Sequence, residues 1–272
     1  MKILLLILSM LAAFDIAAAY TISGNTYLTN GSQSDVQAAC SAAPDNGTIT
    51  VQIPNGTHSW SGNLSITSSL SLAGASASGV TIKNYNASGD MIDATSSTNG
   101  NINIYWLNCV QVSNVNGGQG FILGLNRSDA THTVVVHDCT FNNSSVFCYD
   151  IVTKCLGFVL WNDVFIGDGS NPNDSCTGLY VEYFGQYGDY FTGGYAAWNT
   201  PDTMGDADTT GLNNTYVENC TFYDGATSCS DLDDNARAVY RYNTIQECAV
   251  YTHGQDTSVF GPRHWQIYNI QA

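Results

Sequence analysis

Apolar and polar residues alternate in short bursts along most of this 272-residue chain, and one stretch departs from that two-residue beat. In SDVQAACSAA (34–43), Val36, Ala39 and Cys40 fall on one face of a helix, with Ser34 placed to cap its N-terminus. Everything after it reads differently. Runs rich in Val, Ile, Thr, Tyr and Phe are broken every few residues by Gly, Asn, Asp or Ser, which predicts many short strands joined by tight corners.

The strands share one plan. VVHDCTF (135–141), VLWNDVF (159–165), YVENCTF (216–222), VYRYNTI (239–245) and WQIYNIQ (265–271) each open on an apolar residue and carry Cys, Asp or Asn at the fifth position. Their third positions are His137, Trp161, Glu218, Arg241 and Ile267, in steps of 24, 57, 23 and 26 residues. The long step leaves room for another copy near LYVEYFG (179–185) plus an insertion, and a looser copy, YWLNCVQ, lies at 105–111. Short strands at a fixed period, none able to bury a face alone, predict a solenoid. With no Leu-x-x-Leu-x-Leu pattern, the expected fold is all-β, a parallel β-helix. The fifth positions, Cys139, Asp163, Cys220, Asn243 and Asn269, predict an inward ladder of small polar side chains at one corner of every coil.

That ladder changes the meaning of the nine cysteines. Cys139 and Cys220 read as small core residues, with Cys109 a further candidate for their column. Cys148, Cys155, Cys176 and Cys229 lie between coils and are the disulfide candidates, their pairing open. No Cys-x-x-Cys pair suggests structural zinc.

Charge narrows the partners. The chain carries 7 Lys and Arg against 23 Asp and Glu, a net charge of −16, which argues against nucleic acid and anionic membranes. At the N-terminus, Lys2, the apolar run Ile3–Phe14 and Ala17-Ala18-Ala19 have the form of a signal peptide over residues 1–19. The run is too short to span a bilayer. A single exported domain over 20–272, extracellular or periplasmic, is the expectation. The last repeat reaches Ala272 with nothing to cover it, so further coils are expected beyond it.

SDVQAACSAAPDNGTITVQIPNGTHSWSGNLSITSSLSLAGA (34–75) and the VENCTF and YRYNTI runs resemble the right-handed parallel β-helix proteins of the pectate-lyase-like superfamily. The first resembles that group's capping helix, its strand ending in Ile-Pro-x-Gly-Thr, and its opening coils. The resemblance spans roughly residues 30–272. It implies fold well and function poorly, because this fold hosts lyases, hydrolases, esterases and adhesins.

For chemistry, strand alternation puts Ala238 and Tyr240 inward, and Arg237, Val239 and Arg241 outward. Glu218 occupies the column of Arg241 one step earlier, so a surface ion pair is one reading of both. The other comes from the resemblance. It implies a lyase acting on an acidic, uronate-containing polysaccharide, in which an arginine or lysine removes the proton beside the carboxylate and calcium steadies the developing charge. Arg241, Arg237 or Arg263 would serve as base or carboxylate clamp, with His253 a further acid–base candidate. Glu218, Asp206, Asp208, Asp231, Asp233 and Asp234 would supply oxygen ligands to calcium. Asp233-Asp234 and His253-Gly254 also resemble elements of polygalacturonases. There Thr252 replaces a glycine, and the Arg-x-Lys and Asn-Thr-Asp elements are missing. His137, beside Asp138, reads as structural.

The insertion, roughly Gln186–Gly211, holds Tyr187, Tyr190, Phe191, Tyr195 and Trp198 among glycines and acids. Flat rings with polar tips suit sugars, which makes Tyr190, Tyr195 and Trp198 substrate-binding candidates. Packing of the same rings against the coils is the alternative. A non-catalytic glycan-binding or adhesin-like surface protein is the competing function.

Overall fold

The computed structural model describes residues 20–86, 89–95, 97, 99–112, 120–125, 132–143, 150–154, 158–167, 179–182, 215–223, 230–233, 238–246, 250–252, 266–267 and 270–271. Among the described residues a hairpin, Thr21–Ser23 and Thr26–Leu28, comes first, then one helix, Gln33–Ala42, then a succession of short strands, and the strands form three sheets. The first sheet runs Thr21–Ser23, Thr26–Leu28, Thr50–Ile53, Ser71–Gly74, Ile102–Tyr105, Val134–His137, Val159–Trp161, Thr215–Glu218, Ala238–Arg241 and Gln266–Ile267. The second runs Gly56–Trp60, Val80–Asn84, Asn108–Gln111, Thr140–Asn142, Val164–Ile166, Thr221–Tyr223, Asn243–Gln246 and Ile270–Gln271. The third runs Leu64–Ile66, Ile92–Thr95, Ile122–Leu125, Ile151–Lys154, Leu179–Glu182, Ser230–Asp233 and Val250–Thr252.

Apart from the first hairpin, the pairing is parallel, and from Thr50 onward the chain visits the three sheets in rotation. A strand therefore bonds to strands one circuit before and after it, not to its chain neighbours. Alternation decides which side chains go in. In the first sheet Val51, Leu72, Ile104, Val136, Leu160, Val217 and Tyr240 form one inward column. In the second, Ile82, Cys109, Phe141, Phe165, Phe222 and Ile245 do so. Phe165 and Phe222 stack at 4.6 Å and Phe141 and Phe165 at 5.2 Å. Each fully buried side chain of this kind contributes about 1.5–3 kcal/mol.

The corner between the first and second sheets repeats one backbone device. Trp106, Asp138, Asn162, Asn219 and Tyr242 each hold a left-handed conformation, with φ between 54° and 61°. One such residue turns the chain sharply without a longer loop. The next residue in each circuit points inward: Leu107, Cys139, Asp163, Cys220 and Asn243 are all buried. The expected ladder is there. Asp163 Oδ1 accepts the Cys139 N–H and Asn243 Oδ1 accepts the Cys220 N–H, both at 2.8 Å. Asn243 Nδ2 also donates to the Val217 carbonyl at 2.8 Å. Cys40, Cys109, Cys139 and Cys220 are free and buried, the last two as core residues of this column.

Several details differ from the sequence reading. The helix is capped by Ser32, whose side chain accepts the Asp35 N–H, and Ser34 sits inside the first turn. Asp35 in turn accepts the Asn30 N–H at 2.7 Å, so the entry to the helix is fixed from both sides. Cys109 belongs to the phenylalanine column, because Asn108 pairs with Thr140 and Leu107 takes the place opposite Cys139. Leu179–Glu182 is no extra copy of the repeat but the third strand of its circuit, paired with Ile151–Lys154 and Ser230–Asp233. Trp161 consequently lies directly beside Glu218. The last repeat is registered one residue later than expected: Ile267 pairs with Tyr240, and Ile270, not Asn269, pairs with Asn243. Val239, read as outward, is buried.

Candidate functional site

The outer face of the first sheet is where outward alternation gathers chemistry. Its outward column nearest the corner runs Tyr105, His137, Trp161, Glu218, Arg241 in strict register. Successive members are one strand apart, about 4.8 Å. The Tyr105 and His137 rings stack with centroids 4.8 Å apart and planes 14° from parallel. Trp161 follows at 5.9 Å, tilted by 48°, and is 47% exposed. Trp106 meets Tyr105 edge-on at 5.1 Å. The result is an aromatic strip on the outside of the sheet.

Below it the column becomes ionic. Arg241 Nε donates to Glu218 Oε1 at 2.7 Å, and its Nη2 contacts the same oxygen. The guanidinium carbon lies 5.8 Å from the Tyr216 ring centroid, which adds a cation–π contact from the neighbouring outward column. The hydrogen bond to Glu218 raises the Arg241 pKa further, more than the small desolvation lowers it. Arg241 is thereby held in its protonated form, which suits a clamp on an anion and disfavours proton abstraction.

The left-handed corner residues support the strip from its edge. His137 Nδ1 lies 2.7 Å from Asp138 Oδ2. Asn162 Nδ2 donates to the other Asp138 oxygen, and Asn219 Nδ2 donates to Asn162 Oδ1 at 3.0 Å. Three corner side chains from successive circuits thus form a chain of hydrogen bonds ending on His137.

Of the candidates read from the sequence, the structure brings Glu218 and Arg241 together. Asp231 and Asp233 lie on a strand of the third sheet, with backbone partners Tyr180 and Glu182, away from the sheet that carries Glu218. Arg237, His253, Arg263, Asp206, Asp208, Asp234, Tyr187, Tyr190, Phe191, Tyr195 and Trp198 lie outside the described residues, as do Cys148, Cys155, Cys176, Cys229 and residues 1–19. Among the described residues, no three His, Cys, Asp or Glu side chains are disposed to hold a metal ion. Arg241 engages Oε1 of Glu218, and most of the other expected calcium ligands lie outside the described residues. Also among the described residues, no helix is long and apolar enough to cross a membrane.

Tyr105 and Trp106 were not picked out from sequence, and His137 and Trp161 were noticed only as marks of the repeat. The signal that finds them is the third position of each repeat read as one outward column, which Tyr105 joins once the early copy is moved two residues earlier, to 103–109, as its pairing with His137 requires.

No protein family matches the chain, and no curated protein does. Among solved structures the chain is similar to ORF18 of Geobacillus virus E2, at 15% identity and a TM-score of 0.29, covering 90% of this chain and 60% of that one.

Proposed function

We propose that this chain is an exported right-handed parallel β-helix of the pectate-lyase-like kind, capped at one end by Gln33–Ala42, whose first-sheet outer face binds polysaccharide. The observation that carries the proposal is the outward column of Tyr105, His137 and Trp161 at one-strand spacing, in which Trp161 is exposed and the other two are half-buried. Tyr105 and His137 cover each other's faces, so the exposed Trp161 ring is the one offered to a sugar, and held on a rigid sheet it binds at little cost in side-chain ordering. The parallel three-sheet circuit and the buried corner ladder support the architecture.

The test is a glycan array followed by titration of the best ligand into wild-type protein and Trp161→Ala. The expected loss is about tenfold in affinity, with the melting temperature nearly unchanged because Trp161 is half-exposed. Binding to no glycan, or equal binding by the variant, would overturn the reading.

A lyase acting on a uronate-containing polysaccharide is the second reading. It is favoured by Arg241, a cation on the same face. Arg241 would act there as carboxylate clamp, and the proton-abstracting group would come from Arg237, Arg263 or His253. Absorbance from unsaturated products on pectate, alginate or glycosaminoglycan is the measurement, and its absence on all three removes this reading while leaving glycan binding intact.

A further inference from the structure

We propose that the N-terminal end of the stacked circuits is a self-association surface, on which the edge strand Thr21–Ser23 pairs antiparallel with the same strand of a second copy of this chain. The inference goes beyond the glycan reading and does not depend on it.

Backbone direction carries the first step. The Asn25 carbonyl accepts the Thr50 N–H at 2.9 Å, and the Thr29 N–H donates to the Gln52 carbonyl at 3.1 Å. Main-chain groups alternate sides along a strand, so Tyr27 also faces Thr50–Ile53, while Thr26 and Leu28 face the first strand of the hairpin. Thr26 pairs with Ser23, and Leu28 with Thr21. Ser23 and Thr21 therefore turn their N–H and C=O groups toward Thr26–Leu28. Ile22, between them, turns both of its own to the open side. Among the described residues no strand lies there, since Thr21–Ser23 is terminal in its sheet.

Side chains carry the second step. Ile22 pairs with Tyr27, and Tyr27 with Val51, so Ile22 extends the inward column of the first sheet by one strand. Tyr27 and Val51 are buried, yet Ile22 is 63% exposed. The core column thus ends on a bare apolar side chain, at the same edge that offers an open donor and acceptor.

Charge decides the occupant. The chain has a net charge of −16, yet between Tyr20 and Ile82 its only Asp, Glu, Lys or Arg residues are Asp35 and Asp45. Asp35 is buried, and Asp45 is engaged by Ser69, Ser97 and Asn99. The helix lies at this end too, with Gln37 bonded to the Ser65 main chain in the terminal strand of the third sheet. Its exposed residues Ser34, Ser41 and Ala42 are small and uncharged. Exposed edges are ordinarily guarded by charge or proline, and Thr21–Ser23 has neither. Its shortness is the remaining guard, and it keeps the association weak. Two such ends can meet without like-charge repulsion, with the acidic remainder of each chain held apart, whereas a strongly charged partner finds no counter-charge here.

A two-fold axis through Ile22, normal to the sheet, makes the match self-complementary. Each Ile22 N–H donates to the Ile22 carbonyl of the other copy, and the two side chains sit together on the core face. Thr21 of each copy faces Ser23 of the other, and the first sheet runs on from one copy into the next.

The experiment is sedimentation velocity on the full chain expressed with its own N-terminal segment and any tag at the other end. Mass spectrometry establishes the N-terminus, because residues 1–19 adjoin the edge. A reversible dimer in the micromolar range is expected, and small-angle scattering should show it lengthened end to end with the cross-section of the monomer. Ile22→Pro removes the outward N–H without touching the bonds to Thr26–Leu28, and Ile22→Lys places a charge on the edge. Each should weaken association at least about tenfold, with the melting temperature of the Ile22→Lys monomer unchanged. Should Ile22→Pro fail to fold, the lysine variant and a cross-linking measurement decide. Facing Cα atoms in such a pair stand about 5.5 Å apart, within disulfide reach. Ile22→Cys should therefore form a covalent dimer on mild oxidation, beyond any that the wild type forms, and Leu28→Cys should not. A chain that stays monomeric at roughly 100 µM, a dimer that Ile22→Lys leaves intact, a side-by-side scattering profile, or no Ile22→Cys cross-link would overturn the proposal.

Discussion

Arg241 lies directly across the strand pair from Glu218 and donates to its Oε1 at 2.7 Å, although the two are a full circuit apart in sequence. Both are partly exposed, at 43% and 23%, so water and salt screen the pair. Glu218→Ala should cost at most about 1 kcal/mol of stability, measured by denaturant unfolding. The same variant frees a guanidinium on the outer face. Retention of an acidic glycan should then rise, an effect that added salt should diminish.

Asp163 sits in a position that an amide would fill better. Its Oδ1 accepts the Cys139 N–H, but Oδ2 is buried with no hydrogen-bond partner among the described residues, whereas Asn243, in the same column two circuits on, donates its amide to the Val217 carbonyl. Burial pushes the Asp163 pKa well above its ordinary value of 3.8, and that of fully buried Asp150 likewise. The folded state therefore binds more protons than the unfolded state over that interval. Stability is fully present below about pH 4 and declines as pH rises toward the folded values. Asp163→Asn should raise the melting temperature at neutral pH and flatten its fall with pH. A melting profile that still falls as steeply would show that another group is responsible.

Asp45 acts in the opposite sense. Burial pushes its pKa up, but hydrogen bonds from Ser69, Asn99 and Ser97 outweigh that and bring it well below the usual carboxylate range. Its contribution is lost only as strong acid protonates it. Thermal melts of Asp45→Ala should show the larger deficit at neutral pH, shrinking toward the wild type under strong acid.

Gly74 is fixed by a neighbour rather than by its own backbone. A Cβ there would stand 2.2 Å from the Trp106 carbonyl oxygen, a backbone atom at a left-handed corner with little freedom to retreat. Gly74→Ala should destabilise by more than about 1 kcal/mol, seen as a lower denaturation midpoint with an unchanged slope.

Tyr242 breaks the pattern of its own column. It holds φ of 61° and is 65% exposed, so its side chain gains little from packing while its backbone occupies a region that favours Asn or Gly. Tyr242→Asn should stabilise the fold by up to about 1 kcal/mol and extend the hydrogen-bonded run from Asn219. If Tyr242 instead contacts ligand, the same variant will gain stability and lose binding, and the two assays separate these effects.

The parallel strands and their inward corner ladder were legible in the sequence because a repeat writes the same constraint several times. Cys139, Asp163, Cys220 and Asn243 meet one corner requirement, so their spacing identified it. Register was less legible where that corner residue changes class. With Leu107 opposite Cys139, the nearby Cys109 attracted the alignment and shifted it by two residues. The final repeat slipped by one because Asn269 resembles Asn243 better than Ile270 does, while it is Ile270 that pairs with Asn243. The site was read from charge, which selects Glu218 and Arg241. Tyr105, His137 and Trp161 become a surface only once three strands from different circuits are laid side by side, a relationship that pairing creates and local sequence does not express.

Pairing by circuit also gives the outer face a graduated scale. Trp161 and Glu218 are strand neighbours although 56 residues separate them in sequence, so the length of chain between two paired strands does not set the spacing of what the sheet displays. Moving a side chain by one circuit shifts it by one strand spacing, about 4.8 Å, along the column. A ligand that repeats along its length can be matched, mismatched or measured by that column, one graduation at a time.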